Sequence, residues 1–366
     1  MPYDKLDGRK IKVLPLAERE SFIDIEIAAQ DPLADPPAID DRLAGQVANL
    51  AEKMRAAREG GKSIMLAYGA HLIKNGGATL VNWLVENGWA THVATQGAGI
   101  IHDWEFSFQR RSSESVRDNA PIGRFGTWDE TGRAVNLTAL VAAAEGIGLG
   151  EGIGRTIEED GWTLPDPNAL AGEISADPGG ELTAAKADLL WAMDTFGLGA
   201  GRLEVPHPWK RFSAPACCYR CKVPFTVHPG IGYDIYTNHP MFHGGAIGRA
   251  TATDQRIFAR SVENLSGGVY LSVGSAIMSP QVFEKAFSAA NNLREQAGKP
   301  FIEGHTIAIN DIQEGGDWDW SQGEPPKDHP AYYLRFCKSF YRMGGTVDYL
   351  CEDNRTVLKN LIAQLR

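Results

Sequence analysis

Six short, mostly apolar runs, spaced along the chain and separated by segments of helical periodicity, constrain the fold more than any other feature. They are Ser63-Ile64-Met65-Leu66-Ala67-Tyr68, Thr91-His92-Val93-Ala94-Thr95, Pro224-Phe225-Thr226-Val227, Gly268-Val269-Tyr270-Leu271-Ser272-Val273, Thr306-Ile307-Ala308-Ile309 and Thr346-Val347-Asp348-Tyr349-Leu350. Each is too short for a stable helix and is bounded by glycine, proline or polar residues, which reads as a strand. Apolar residues stand next to one another instead of alternating with polar ones, so these strands are buried on both faces. Strands alternating with helices predict an α/β fold: a doubly wound, mainly parallel sheet with helices on both faces.

The intervening segments carry helix signals. Leu43, Val47, Leu50 and Met54 share one helical face, and Gly60-Gly61 ends that helix. Amphipathic patterns predict helices over His71 to Glu86, Leu137 to Glu145 and Ala246 to Glu263. Ser279 as N-cap with Pro280 at the first helical position predicts a helix running to about Gly298, and Asp353 or Asn354 caps a closing one. Residues 1–61 read as an N-terminal arm and helix, with an exposed linker at Asp31 to Asp41, and residues 62–366 as the nucleotide-binding domain. Within it, 111–210 is an irregular excursion whose stretch from Glu158 to Gly180, rich in Asp, Pro and Gly, reads as a surface path.

Composition narrows the class of protein. A chain of 366 residues can bury a sizeable core. Its formal net charge of −10, with no block of Lys and Arg, argues against nucleic acid or an anionic membrane as partner. No apolar window approaches the ~20 residues of a spanning helix, and Met1-Pro2-Tyr3-Asp4 opens no leader pattern. Five Cys, an odd count, fit free thiols in a reducing cytoplasm. Cys217, Cys218 and Cys221 contain a C-x-x-C, but no second pair follows, so buried, reduced, metal-free thiols are expected.

In a parallel sheet of this kind the ligand lies outside the carboxyl ends of the strands. There the chain places Gly69 and His71, Thr95, Gln96, Gly97 and Gly99, His228 and Asp234, Gly274 and Ser275, Asn310 and Asp311, and Glu352 and Asp353. Gly97-Ala98-Gly99, between a strand and a helix, can let backbone N–H groups approach a phosphate, or is an ordinary tight turn lacking the third glycine of a dinucleotide fingerprint. His228, Asp234, His239 and His243 are metal-ligand types, but their spacing matches no zinc motif; the expectation is no metal and a polar loop. Asp317-Trp318-Asp319-Trp320 can hold a cationic amine between acids and indoles, or is a surface loop.

Taken in order, these segments resemble the deoxyhypusine synthase family. Leu66-Ala67-Tyr68-Gly69-Ala70-His71-Leu72-Ile73 and Val93 to Asp103 are similar to its first cofactor-binding region. Asp234-Ile235-Tyr236-Thr237-Asn238-His239 resembles its segment in which Asp precedes His by five, and Gly268 to Ser279 its glycine-rich turn. Ile309-Asn310-Asp311-Ile312-Gln313-Glu314, with Asp319 nearby, resembles its Ile-Asn-x-Ala-Gln-Glu stretch, and Cys351-Glu352-Asp353 its C-terminal unit. The resemblance covers about two-thirds of the chain. It implies a Rossmann-like, NAD-binding subunit of a homotetramer, with active sites between subunits, that oxidises spermidine and passes an aminobutyl group to a lysine.

The departures fall on the chemistry. Met278-Ser279-Pro280 stands where the family has Lys-His-His, and His102 where it has Glu. The lysine motif Ser-Trp-Gly-Lys is absent, with Lys338 roughly in its place. The expectation is therefore an NAD-dependent enzyme acting on a polyamine or related small-molecule amine, but not deoxyhypusine synthesis. The alternatives are a non-catalytic nucleotide-binding homologue and an NAD-linked amino-acid enzyme of the ornithine cyclodeaminase type. Asp234, His239, Asp319 and Lys338 are the expected catalytic set. Gly69, His71, Thr95, Gln96, Gly97, Gly99, Glu352 and Asp353 are the expected cofactor contacts.

Overall fold

The structure, a computed structural model, describes residues 3–366; Met1 and Pro2, where the reading of the N-terminus begins, lie outside the described residues. Its centre is a six-stranded sheet of β1 (Ile64–Tyr68), β2 (His92–Thr95), β3 (Phe225–Val227), β4 (Val269–Val273), β5 (Thr306–Asp311) and β6 (Thr346–Cys351). The strands lie in the order β6-β5-β4-β1-β2-β3, and every neighbouring pair is parallel. Counted along the chain this is 3-2-1-4-5-6, the order of the dinucleotide-binding doubly wound sheet. The topological switch point therefore lies between β1 and β4.

The main helices are α1 (Asp41–Glu59), α2 (Gly97–Gln109), α3 (Asp129–Glu145), α4 (Leu149–Glu158), α5 (Ala214–Cys221), α6 (Gly244–Glu263), α7 (Met278–Gln296) and α8 (Asn354–Leu365). All five residues of β1 are buried, because each face of the sheet has its own apolar layer. Ile64, Leu66 and Tyr68 join a core with side chains of α1 to α5 and α8, whereas Met65 and Ala67 join a second core with Phe258, Phe283 and Phe340.

Local rules miss several details. The helix expected over His71 to Glu86 is broken into Ala70–Lys74 and Ala78–Glu86. Gly76 takes a positive φ of 77° between them, and a Cβ there would fall 2.0 Å from the carbonyl oxygen of Ala28, so the N-terminal arm occupies the gap. Ser279 is not an N-cap: α7 starts at Met278, and the buried Ser279 hydroxyl bonds the Tyr270 hydroxyl at 2.9 Å. The stretch from Glu158 to Gly180 is not simply a surface path. It supplies Gly161–Leu164, paired antiparallel with Gly201–Glu204, and the helix Pro167–Ala176, with Trp162, Leu164 and Leu170 buried. Cys217 and Cys218 are buried, but Cys221 is exposed, because α5 ends there and Lys222 turns the chain away at a φ of 56°.

The arm is tied to the excursion. Ile23–Asp24 pairs antiparallel with Arg111–Ser112, and Arg19 is buried against α2, where its guanidinium grips Glu105 in two parallel bonds of 2.7 and 2.6 Å. Burial alone would raise the Glu105 carboxyl; the charge and hydrogen bonds of Arg19, with lesser contributions from His102 and the Ser112 hydroxyl, bring it below its ordinary range. Among the described residues no single helix is long and apolar enough to cross a membrane.

Candidate functional site

The switch point is built from close backbone contact. The Gly69 N–H donates to Val273 O and the Gly274 N–H to Asn310 O. A Cβ on Gly69 would fall 1.9 Å from Gly274 O, and Gly274, at a φ of 58°, leaves room for Asn354. Only glycine fits both demands. Beside this floor, the Asn310 amide donates to Leu350 O at 3.0 Å and Glu352 O at 2.8 Å, while its own oxygen and that of Asn354 are buried with no protein partner. Two buried acceptors without a protein partner thus stand at the carboxyl ends of β5 and β6.

The second part of the site lies beyond β2 and β3. Asp234 is 4% exposed and lines a cavity of about 230 Å³ with Lys74, Ala98, His102 and Tyr233. Its carboxylate accepts from the Gly230 N–H at 2.8 Å and the Tyr236 hydroxyl at 3.4 Å, and none of the ion pairs among the described residues includes it. Burial pushes its pKa up to about 6, against the lowering effect of these bonds and of the Ala98 amide. His102, held at 2.8 Å by the Ser112 hydroxyl, is lowered to about 4 by burial and stays neutral.

Asp234 also changes the reading of the Gly97 turn. A Cβ on Gly97 would fall 2.3 Å from the Asp234 carboxylate, and one on Gly99 would fall 2.2 Å from Thr95 Oγ1. Both glycines therefore make room for side chains of this chain. The anion at the start of α2 is Asp234 itself, which occupies the place expected for a phosphate. Thr95 donates to Tyr68 O at 3.0 Å, and the Gln96 amide, turned to satisfy both, reaches Tyr68 O and the Ala70 N–H at 3.1 Å each. These two residues tie the ends of β1 and β2 together. His71 is exposed on its short helix beside them.

The remaining expected site residues are scattered. His239 is buried with both ring nitrogens used: Nε2 lies 3.0 Å from Asp129 and Nδ1 accepts from the Met241 N–H. It packs on Gly132 and positions the start of α3. His228 bonds Thr226 and His243 faces Asp188, so the histidines of this loop take separate partners, and no three ligand-type side chains converge among the described residues. Asp319 is exposed and caps its own turn through the Ser321 N–H, at the β6 edge. Five inter-strand steps put it about 24 Å from the β3 edge, too far to share one small amine with Asp234. Trp320 is buried in the core, and Asp317 pairs with Arg42. Lys338 lies over the Tyr332 ring at 3.4 Å, on the helix Arg335–Tyr341. Glu352 accepts from the Asp353 N–H, and Asp353 caps α8 and pairs with Arg355 at 3.0 Å.

Arg19, Glu105 and Lys74 were not among the expected site residues, yet all line the Asp234 cavity. Arg19 and Glu105 stand 86 positions apart, and no local pattern pairs them.

No protein-family model and no curated protein matches the chain, so the resemblance to deoxyhypusine synthase rests on the residues quoted for it. Solved structures give remote likenesses. AgrE in ternary complex with ornithine and NAD+ shares 14% identity at a TM-score of 0.42, over 90% of this chain and 34% of that one. Unliganded AgrE gives 15%, 0.44, 90% and 34%. A conserved putative LOR/SDH protein from Methanococcus maripaludis S2 gives 12% and 0.42, over 100% of this chain and 75% of that one. The chain spans about a third of the length of the AgrE chains. At these values the likeness carries no inference about residues or ligands.

Proposed function

We propose that the chain is an NAD-linked enzyme acting on a small amino acid, held with its ammonium on Asp234. The observation that carries this reading is that Asp234, hydrogen-bonded but in no ion pair, and Lys74, a base in no ion pair among the described residues, line the same cavity of about 230 Å³. The other two acids that line it are engaged: Glu105 is paired with Arg19 at 2.6 Å, and Glu114 lies 4.0 Å from the same guanidinium and accepts from Asn119, the Gly126 N–H and Trp128 Nε1. A polyamine would need acids at both ends; one acid and one base on the wall of a single cavity, each without a counter-ion, suit a zwitterion. The substrate's carboxylate would then lie toward Lys74.

We assign the cofactor to the switch point between β1 and β4, because doubly wound sheets of this strand order bind dinucleotides there. The fit rests on the tight Gly69–Gly274 floor and the orphaned oxygens of Asn310 and Asn354, which can accept from ribose hydroxyls or an amide. Glu352 and Asp353 stand at the same end, beside Asn354. When bound, NAD supplies the hydride acceptor. The chain's own part is to bind and orient. Asp234, raised to about 6 by burial, becomes fully ionised when an ammonium replaces the missing counter-charge, so substrate and ionisation favour each other. Homotetrameric or dimeric assembly, implied by the family resemblance, belongs to the same proposal and is tested by light scattering.

Calorimetry with NAD+ and NADH is the first test, and failure of both to bind would remove the cofactor. Absorbance at the NADH band with ornithine, putrescine and spermidine then separates amino acid from polyamine. NAD binding without reduction by any of them would leave a non-catalytic nucleotide-binding protein.

A further inference from the structure

A crevice of about 580 Å³ opens at the opposite end of the sheet, at the amino ends of β1 and β2. The C-terminal turns of α1, α6 and α7 converge there and bring Arg58, Arg260 and Arg294, with Lys62 and Lys299 from the loops that follow α1 and α7. Among the described residues that line it, Glu263 is the only acid. In a chain of net charge −10 this is a local reversal of sign.

Cations at helix C-termini have an ordinary cause. Each helix end carries about −0.5 charge, so three ends offset between one and two cations. Glu263 offsets one more, and it pairs with Arg260. About two positive charges are left over by this estimate. Lys62 and Lys299 stand outside the helices and enter none of the ion pairs among the described residues. Two of the three guanidinium groups are fixed in place: Arg294 donates to Pro300 O at 2.6 Å and Glu263 O at 3.1 Å, and Arg58 lies over the Trp89 ring at 4.4 Å. Held side chains lose little entropy on meeting a ligand.

We propose that this crevice binds a small phosphorylated metabolite through its phosphate, taken as the dianion. Two excess positive charges match a phosphate monoester at neutral pH, and planar guanidinium forks suit its oxygens. A volume of about 580 Å³ lies within the span of small-molecule sites, so the rest of the metabolite has room. The Ser261 hydroxyl, on the crevice wall and 2.8 Å from His92 Nδ1, adds a neutral hydrogen-bonding group. The length of a five-residue strand, about 16 Å, separates this site from the carboxyl edge. The two proposals therefore stand or fall independently.

The test is calorimetric titration with inorganic phosphate, then pyrophosphate, at low ionic strength, on the wild type and on a Lys62→Ala/Lys299→Ala double variant. Saturable phosphate binding is expected, weakened tenfold or more in the double variant and progressively by added potassium chloride, while acetate does not compete. Absence of saturable binding to the wild type, or equal affinity in the double variant, would overturn the proposal. If circular dichroism shows the double variant unfolded, Lys299→Ala alone replaces it, with a threefold weakening expected and unchanged affinity counting against the site. NAD titration of the same variants, expected unchanged, keeps this result distinct from that of the carboxyl edge.

Discussion

Asp234 and Asp319 both sit in loops at the carboxyl end of one sheet, each beside aromatic side chains, and they differ in almost every physical respect. Asp234 follows β3, lies against Tyr236 and the start of α2, and is pushed up to about 6 by burial without a cation to offset it. Asp319 stands at the β6 edge in open solvent, and its carboxyl is held below the ordinary range by the Ser321 hydroxyl and N–H of the turn that it caps. The first is an incomplete electrostatic arrangement and the second a finished one. A ligand cation gains most where a buried acid lacks a partner, because the desolvation cost has already been met in folding.

Substitution should separate the two most widely. Asp234→Ala is expected to weaken amine binding about 100-fold, the order of a buried charge-assisted hydrogen bond lost, whereas Asp319→Ala should leave it within about twofold. Calorimetry with ornithine reads both, and equal losses would erase the distinction. The next effect is on stability. A carboxyl raised in the folded state adds stability that is fully present below its unfolded pKa, near 4, and is lost as pH rises through about 6. Urea unfolding at a series of pH values should show the wild type losing stability over that window, and Asp234→Asn losing about 3 kcal/mol less. Asp103 and Asp254, pushed up by burial to about 7 and about 8, extend the decline to higher pH in both proteins. Asp319→Asn should show no such flattening.

A smaller effect sharpens the same comparison. Because an ammonium binds the ionised form of Asp234, affinity should fall about tenfold for each pH unit below 6; an affinity flat from pH 7 to pH 5 would argue that another group holds the amine. Last, thiol labelling divides one helix in the way that burial divides the two acids. Cys221 and Cys351 should react at once with a thiol reagent, and Cys217, Cys218 and Cys337 only on unfolding. Slow labelling of Cys221 would place that end of α5 inside an interface.

Five of the six strands and the doubly wound class were legible because burying a strand on both faces leaves a dense local record, the run Ile64-Met65-Leu66-Ala67-Tyr68 being the clearest; the edge strand β6 departs from that expectation, with only Tyr349 and Leu350 buried. The cap at Asp353 was legible for the same reason: its hydrogen bonds reach only to Arg355 and Thr356. What local pattern could not supply were facts about distant partners. Gly97 has the look of a phosphate turn, yet the group it admits is the carboxylate of Asp234, brought from 137 positions away by the return of the chain into β3. His239 has the look of a catalytic base until Asp129 and Met241 occupy both its nitrogens. The sequence determined which segments must be buried, since the hydrophobic effect acts on composition and period residue by residue. The tertiary structure alone decided which polar groups were satisfied and which were left without a partner, because that depends on contacts made after the chain has closed on itself.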